Sequence, residues 1–141
     1  MAAVNTQFSI AIHILVGIGN SNREMTSTDL ATSINAYPSF VRRILSKLSK
    51  ADLVTTTTGK AGFCSLAKKP SEITLLDIYQ AVEAPKAFAI HAYPAQKSCP
   101  VSCGIKSCME KVLDRTQKAM EASLEKTSLA EVIADLKKRQ G

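Results

Sequence analysis

The stretch Pro38-Ser39-Phe40-Val41-Arg42-Arg43-Ile44-Leu45-Ser46-Lys47-Leu48-Ser49-Lys50 decides how the rest of the chain is read. Proline can open a helix because the first turn has no use for its missing N–H. Val41, Ile44, Leu45 and Leu48 then recur at i, i+3, i+4 and i+7, which is one buried stripe. Ser39, Arg42, Arg43, Ser46, Lys47 and Lys50 fall on the other side. A helix with an aliphatic side for a core and a cationic, hydroxyl-bearing side for a DNA groove has the makings of a recognition helix. Arginine near its start meets guanine edges with both arms, and lysines farther along neutralise phosphates. Ser39, Phe40, Arg42 and Arg43 are therefore expected to approach bases, and Lys47 and Lys50 to hold phosphates.

Working upstream, Asn35-Ala36-Tyr37 breaks the pattern and supplies a tight turn. Thr26 followed by Asp29 approximates a capping box, and Leu30, Ala31 and Ile34 give the inward side of a short helix. Thr28 in that helix is assigned to the same DNA-facing surface. Before it, Phe8, Ala11, Ile12, Leu15 and Ile18 mark a first helix that is apolar on most sides and stops at Gly19-Asn20-Ser21-Asn22. His13 within it is expected to be a packed histidine, because no partner ligand is nearby in sequence.

Working downstream, Leu53 to Thr58 is rich in β-branched residues, Gly59-Lys60-Ala61-Gly62 is a turn, and Phe63-Cys64-Ser65-Leu66 can return as a second strand. Lys60 at the tip would meet a neighbouring phosphate. Helix, turn, basic helix and basic hairpin, in that order, predict a winged helix. Thr74 and Asp77 repeat the cap pattern ahead of a fourth helix through Val82. From Ala84 to Ser107 no clear period is seen, and a long loop is expected. A helix from about Ile105 to Lys126 carries the stripe Met109, Val112, Leu113, Thr116, Met120 and Leu124, and so long an element needs something to pack against. Ser128 and Glu131 cap a terminal helix. The fold class is thus mainly α with a small β-hairpin. Its expected parts are a DNA-binding domain at 1–83, a cysteine-containing loop at 84–107, and a dimerisation helix with the terminal helix at 108–141.

Charge supports the same reading. Of 18 Lys and Arg against 12 Asp and Glu, residues 39–69 hold seven of the cations and one of the anions, so the net +6 sits in this segment. A concentrated positive field attracts polyanions, and nucleic acid is the commonest inside a cell. At 141 residues, with 45% hydrophobic and 21% charged, the chain has room for one ordinary core. Its longest apolar run, from Ile10 to Gly19, is about half of what a bilayer crossing needs, and no basic residue precedes it as in a secretory signal. No membrane association and a cytoplasmic location are expected.

Cys99, Cys103 and Cys108 fall within ten residues, a clustering more often metal-binding or redox-active than structural in a cytosolic chain. With His91 as a fourth ligand they could hold an iron–sulfur cluster. Cys99 with Cys103, or Cys103 with Cys108, could instead form a disulfide; zinc and the absence of any sensing role also stay open. Cys64 reads as a small buried residue of the wing.

Taken together, the chain resembles the Rrf-two (Rrf2) family of bacterial transcriptional regulators, which includes the IscR, NsrR and CymR types. The resemblance rests on Leu30-Ala31, on Pro38 to Leu45, and on Leu48 to Leu53. It extends through Ile73-Thr74-Leu75-Leu76-Asp77-Ile78-Tyr79-Gln80-Ala81-Val82-Glu83, Cys99-Pro100-Val101 and Ser128-Leu129-Ala130. The resemblance implies a homodimer crossed by the long helices, two winged helices reading a palindromic operator in double-stranded DNA, and often a sensor near the cysteine loop. It points to a regulator, expected to be a repressor, and not to an enzyme. The rivals are a small thiol or metal enzyme using the three cysteines, and a regulator-derived interaction module that no longer binds DNA.

Overall fold

A computed structural model describes residues 5–57 and 62–140. The chain runs α1 (Gln7–Asn20), β1 (Met25–Thr26), α2 (Ser27–Ile34), α3 (Pro38–Lys50), β2 (Val54–Thr56) and β3 (Phe63–Leu66). A 3₁₀ turn at Pro70–Glu72 leads into α4 (Leu75–Ala81), α5 (Pro100–Glu125) and α6 (Leu129–Gln140). Two compact units result. One runs up to Ala84 and resumes at Leu124, and the other is Pro85–Ser123.

In the first unit α1 is the central element, in contact with α2, α3, α4, α6 and β3. This placement explains a helix that is apolar on most sides: each side meets a neighbour. Ala11, Ile14 and Leu15 are fully buried, alongside Leu30, Val41, Ile44 and Leu48. His13 differs from expectation. It is exposed, and its Nε2 lies 3.0 Å from the Ser33 hydroxyl of α2.

The capping boxes form as anticipated. Thr26 accepts from the Asp29 amide at 3.1 Å while Asp29 accepts from the Thr26 amide at 3.0 Å, and Thr74 with Asp77 repeats the exchange. Ser128 and Glu131 make the same pair ahead of α6. Asn35 ends α2 in the left-handed region at φ 64°, and the Ala36 amide returns to the Ala31 carbonyl at 2.9 Å, so the turn into α3 is tightly held.

The hairpin gains a third strand. β3 lies between β2 and β1, both antiparallel to it, with Val54 opposite Leu66 and Met25 opposite Cys64. The tip of the wing, including Lys60, lies outside the described residues.

α6 belongs to this first unit. Leu75 N–H donates to the Thr127 carbonyl at 2.9 Å and Leu129 N–H to the Ile73 carbonyl at 2.8 Å, joining the starts of α4 and α6. Leu129 and Ile133 are buried, and α6 packs on α1.

In the second unit the long helix starts at Pro100, earlier than Ile105, so Cys103 and Cys108 both lie on it. Pro100 opens it as Pro38 opens α3. Gln117 is its one buried residue, accepting from the Ala87 amide at 3.0 Å.

Candidate nucleic-acid interface

The aliphatic stripe of α3 enters the core: Val41, Ile44 and Leu48 are almost completely buried and Leu45 nearly so. That burial fixes the rotation of the helix. Ser39, Arg42, Arg43, Ser46 and Lys50 consequently stand in solvent. Thr28 on α2 is exposed as well. Among the described residues no carboxylate pairs with Arg42, Arg43 or Lys50, since the ion pairs are Arg23 with Asp29, Lys118 with Asp114 and Arg139 with Asp135. Cations left unpaired on a rigid face are available to phosphates and base edges.

Three of the assigned side chains are more constrained than a helical count shows. Phe40 is half-buried, and the Arg43 guanidinium lies over its ring, 5.4 Å from the centroid. Stacking of this kind orders a long side chain before any partner arrives. Lys47 is also half-buried, and its ammonium donates to the Gln7 side-chain oxygen at 2.9 Å. Sequence reasoning missed Gln7. It stands 40 residues away on a different helix, and no local pattern could have pointed to it.

Beside α3 lies a recess of about 790 Å³ lined by Thr26, Ser27 and Thr28 at the start of α2, by Arg42, Ser46 and Lys50 of α3, and by Thr56 and Cys64 of the wing. Hydroxyls come from all three elements, and the cations Arg42 and Lys50 from α3. The recess thus offers a phosphate both hydroxyl and cationic donors. Cys64 is one of its lining residues, 4% exposed, and burial pushes its thiol up, with a hydrogen bond to Thr56 pulling the other way.

The cysteines of the second unit are organised differently from a metal centre. Cys99 Sγ accepts from the Ser102 amide at 3.4 Å, and the Cys103 thiol donates to the Gln96 and Lys97 carbonyls, each at 3.7 Å. Lys106 donates to the Tyr93 carbonyl, so the segment before α5 is strapped to its first turns. Cys103 and Cys108 are five residues apart on one helix, and their side chains leave it in directions about 140° apart. Among the described residues no three His, Cys, Asp or Glu side chains gather to hold a metal ion. Cys99, Cys103, Cys108 and His91 as arranged here do not fit an iron–sulfur cluster or a zinc ion. Cys99 and Cys103, by contrast, sit one turn apart, joined by the Cys103 amide to the Cys99 carbonyl at 3.1 Å.

The family described as Rrf2, iron-dependent transcriptional regulator, matches residues 4–135. The chain belongs to the Rrf2 family. It is 40% identical over 135 residues to YwnA of Bacillus subtilis (strain 168), named as an HTH-type transcriptional regulator, covering 94% of this chain and 98% of that one. A crystal structure described as a DNA binding protein aligns at TM-score 0.73 with 35% identity, over 90% of this chain and 98% of its own. CymR, the global cysteine regulator of Bacillus subtilis, shares the fold at TM-score 0.69 and 18% identity, over 95% and 98% of the two chains. This Rrf2 protein is accordingly a winged-helix DNA-binding transcriptional regulator, and its relatives are regulators as well. Among the described residues no helix is long and apolar enough to cross a membrane.

Proposed function

We propose that this Rrf2 protein is a cytoplasmic homodimeric repressor that reads a palindromic operator, with Ser39, Phe40, Arg42 and Arg43 at the bases and Thr28, Lys47, Lys50 and Lys60 at the backbone. The observation that carries the reading is the unpaired cationic face of α3, rotated outward by the burial of Val41, Ile44 and Leu48. The dimer rests on α5. This helix of 26 residues is about 39 Å long, and Val101 and Val112 on it are 68% and 49% exposed. An apolar helix side left in water favours association with a second copy. A two-fold dimer would set two α3 helices on half-sites about 34 Å apart.

The one-turn spacing of the free thiols Cys99 and Cys103 favours a thiol switch over a cluster. Four residues along a helix rise about 6 Å, within the Cα separation a disulfide tolerates, whereas Cys103 to Cys108 rises about 7.5 Å and diverges. A peroxide would accept the two electrons: two thiols and one hydroperoxide give one disulfide, one alcohol and one water. Closing the bond would remove the Cys103 contacts to Gln96 and Lys97.

Selection of bound duplexes from random DNA, followed by gel shifts with Arg43→Ala, tests the reading. A palindromic sequence should emerge, and Arg43→Ala should lose discrimination as well as affinity. Equal losses on selected and random DNA would show that Arg43 touches only phosphate. A monomer in sedimentation equilibrium would remove the two-fold arrangement, and identical gel shifts after peroxide and after reductant would remove the switch.

A further inference from the structure

We infer that Tyr37 is a specificity-determining residue that reads the methyl group of a thymine in the major groove. The inference rests on the regulator reading above and extends it to a residue outside the recognition helix.

Tyr37 is the N-cap of α3, and the residue is 82% exposed. By helical count it stands four residues before the fully buried Val41 and would belong to the apolar stripe. It does not join that stripe, because its backbone is extended, at φ −72° and ψ 136°. Pro38 imposes this: the residue before a proline is excluded from the helical region. The position is rigid on both sides. Upstream, the Asn35 and Ala36 amides return to the Thr32 and Ala31 carbonyls. Downstream, the Tyr37 carbonyl accepts from the Phe40 amide at 3.0 Å and the Val41 amide at 3.2 Å. A large ring is therefore held in water on a turn that cannot relax to bury it.

The turn is at the end of α3 that goes deepest into a groove, since the first residues of a recognition helix reach the base edges. Ser39 and Arg42 next to it satisfy polar edges. The ring offers mainly an apolar surface, and the apolar group that a base pair presents in the major groove is the 5-methyl of thymine. Burying the ring against that methyl gives preference for thymine over cytosine at one position of each half-site.

The test uses the full-length protein and the duplex it selects from random DNA. Each thymine of the half-site is replaced in turn by deoxyuridine, which removes the methyl and keeps base pairing. Wild type should lose about fivefold to tenfold in affinity at one position. Tyr37→Ala should show a similar loss on the thymine duplex, no further loss on the deoxyuridine duplex, and unchanged affinity for random DNA. Tyr37→Phe should behave as wild type. If deoxyuridine is silent at every position for wild type, or if Tyr37→Phe loses as much as Tyr37→Ala, the ring does not read a methyl and the inference fails while the regulator stands. If wild type selects no sequence at all, the regulator reading falls first and this one with it.

Discussion

The Lys47 ammonium donates to the side-chain oxygen of Gln7 at 2.9 Å, tying α3 to the first turn of α1. A lysine held in this way keeps its charge but gives up part of the rotamer freedom it would otherwise lose on meeting a phosphate. Lys47→Ala should weaken operator and random DNA alike and reduce the slope of log affinity against log salt by about one. Gln7→Leu keeps the charge and releases its tether, so the slope should stay and affinity should fall by less. Salt titrations of the gel shift check both. A wild-type slope in Lys47→Ala would show that the ammonium never reaches the backbone.

The terminal helix is predicted to be part of the first unit in energy as well as in contact. Leu129 is fully buried, and Leu129→Ala should cost about 2–5 kcal/mol in denaturant unfolding. Val112→Ala, at a half-exposed position on α5, should leave monomer stability nearly unchanged and weaken self-association instead. A Leu129→Ala protein as stable as wild type would mean that α6 is dispensable to the core.

Asp29 links stability to pH. Hydrogen bonds from the Thr26 amide and hydroxyl, then from Arg23, hold its carboxyl below the usual aspartate range. The folded value lies under the unfolded one, so its contribution is complete above the ordinary range and is lost as pH falls through that range toward the folded value. The difference in melting temperature between wild type and Asp29→Asn should be constant near neutrality and close on acidification to about pH 3. Thermal melts across that interval measure it, and an unchanging gap would show that the charge of Asp29 is irrelevant to α2.

Thiol reactivity should separate the four cysteines. Cys103 and Cys108 are exposed, Cys99 is intermediate and Cys64 is buried. Because burial raises the Cys64 thiol, the stability it contributes is complete below the ordinary thiol range and fades as pH climbs toward the raised folded value. Alkylation of the native protein at about pH 8, read by mass spectrometry, should modify Cys103 and Cys108 first and Cys64 only on unfolding. Labelling of Cys64 at the rate of Cys108 would reveal a wing sheet that opens readily.

Much of the fold was legible wherever the controlling interactions are local. The three capping boxes at Thr26, Thr74 and Ser128 join residues three apart, and the stripe of Val41, Ile44, Leu45 and Leu48 repeats within one helix. The start of α5 was read about five residues late, near Ile105: Pro100 carries the signal that located Pro38, but the prolines upstream hid it as part of a loop. β1 was not legible: two residues at Met25 and Thr26 carry no period, and only pairing with Phe63 and Cys64 makes them a strand.

The order of amino acids alone settled that a cationic helix follows a tight turn and precedes a hairpin, because propensity, capping and periodicity act over a few residues. Packing in three dimensions settled which charges stand free, that Lys47 meets Gln7 and that α6 joins α1. These depend on how helices rotate and dock around a shared core, and that rotation follows from burying every apolar stripe at once.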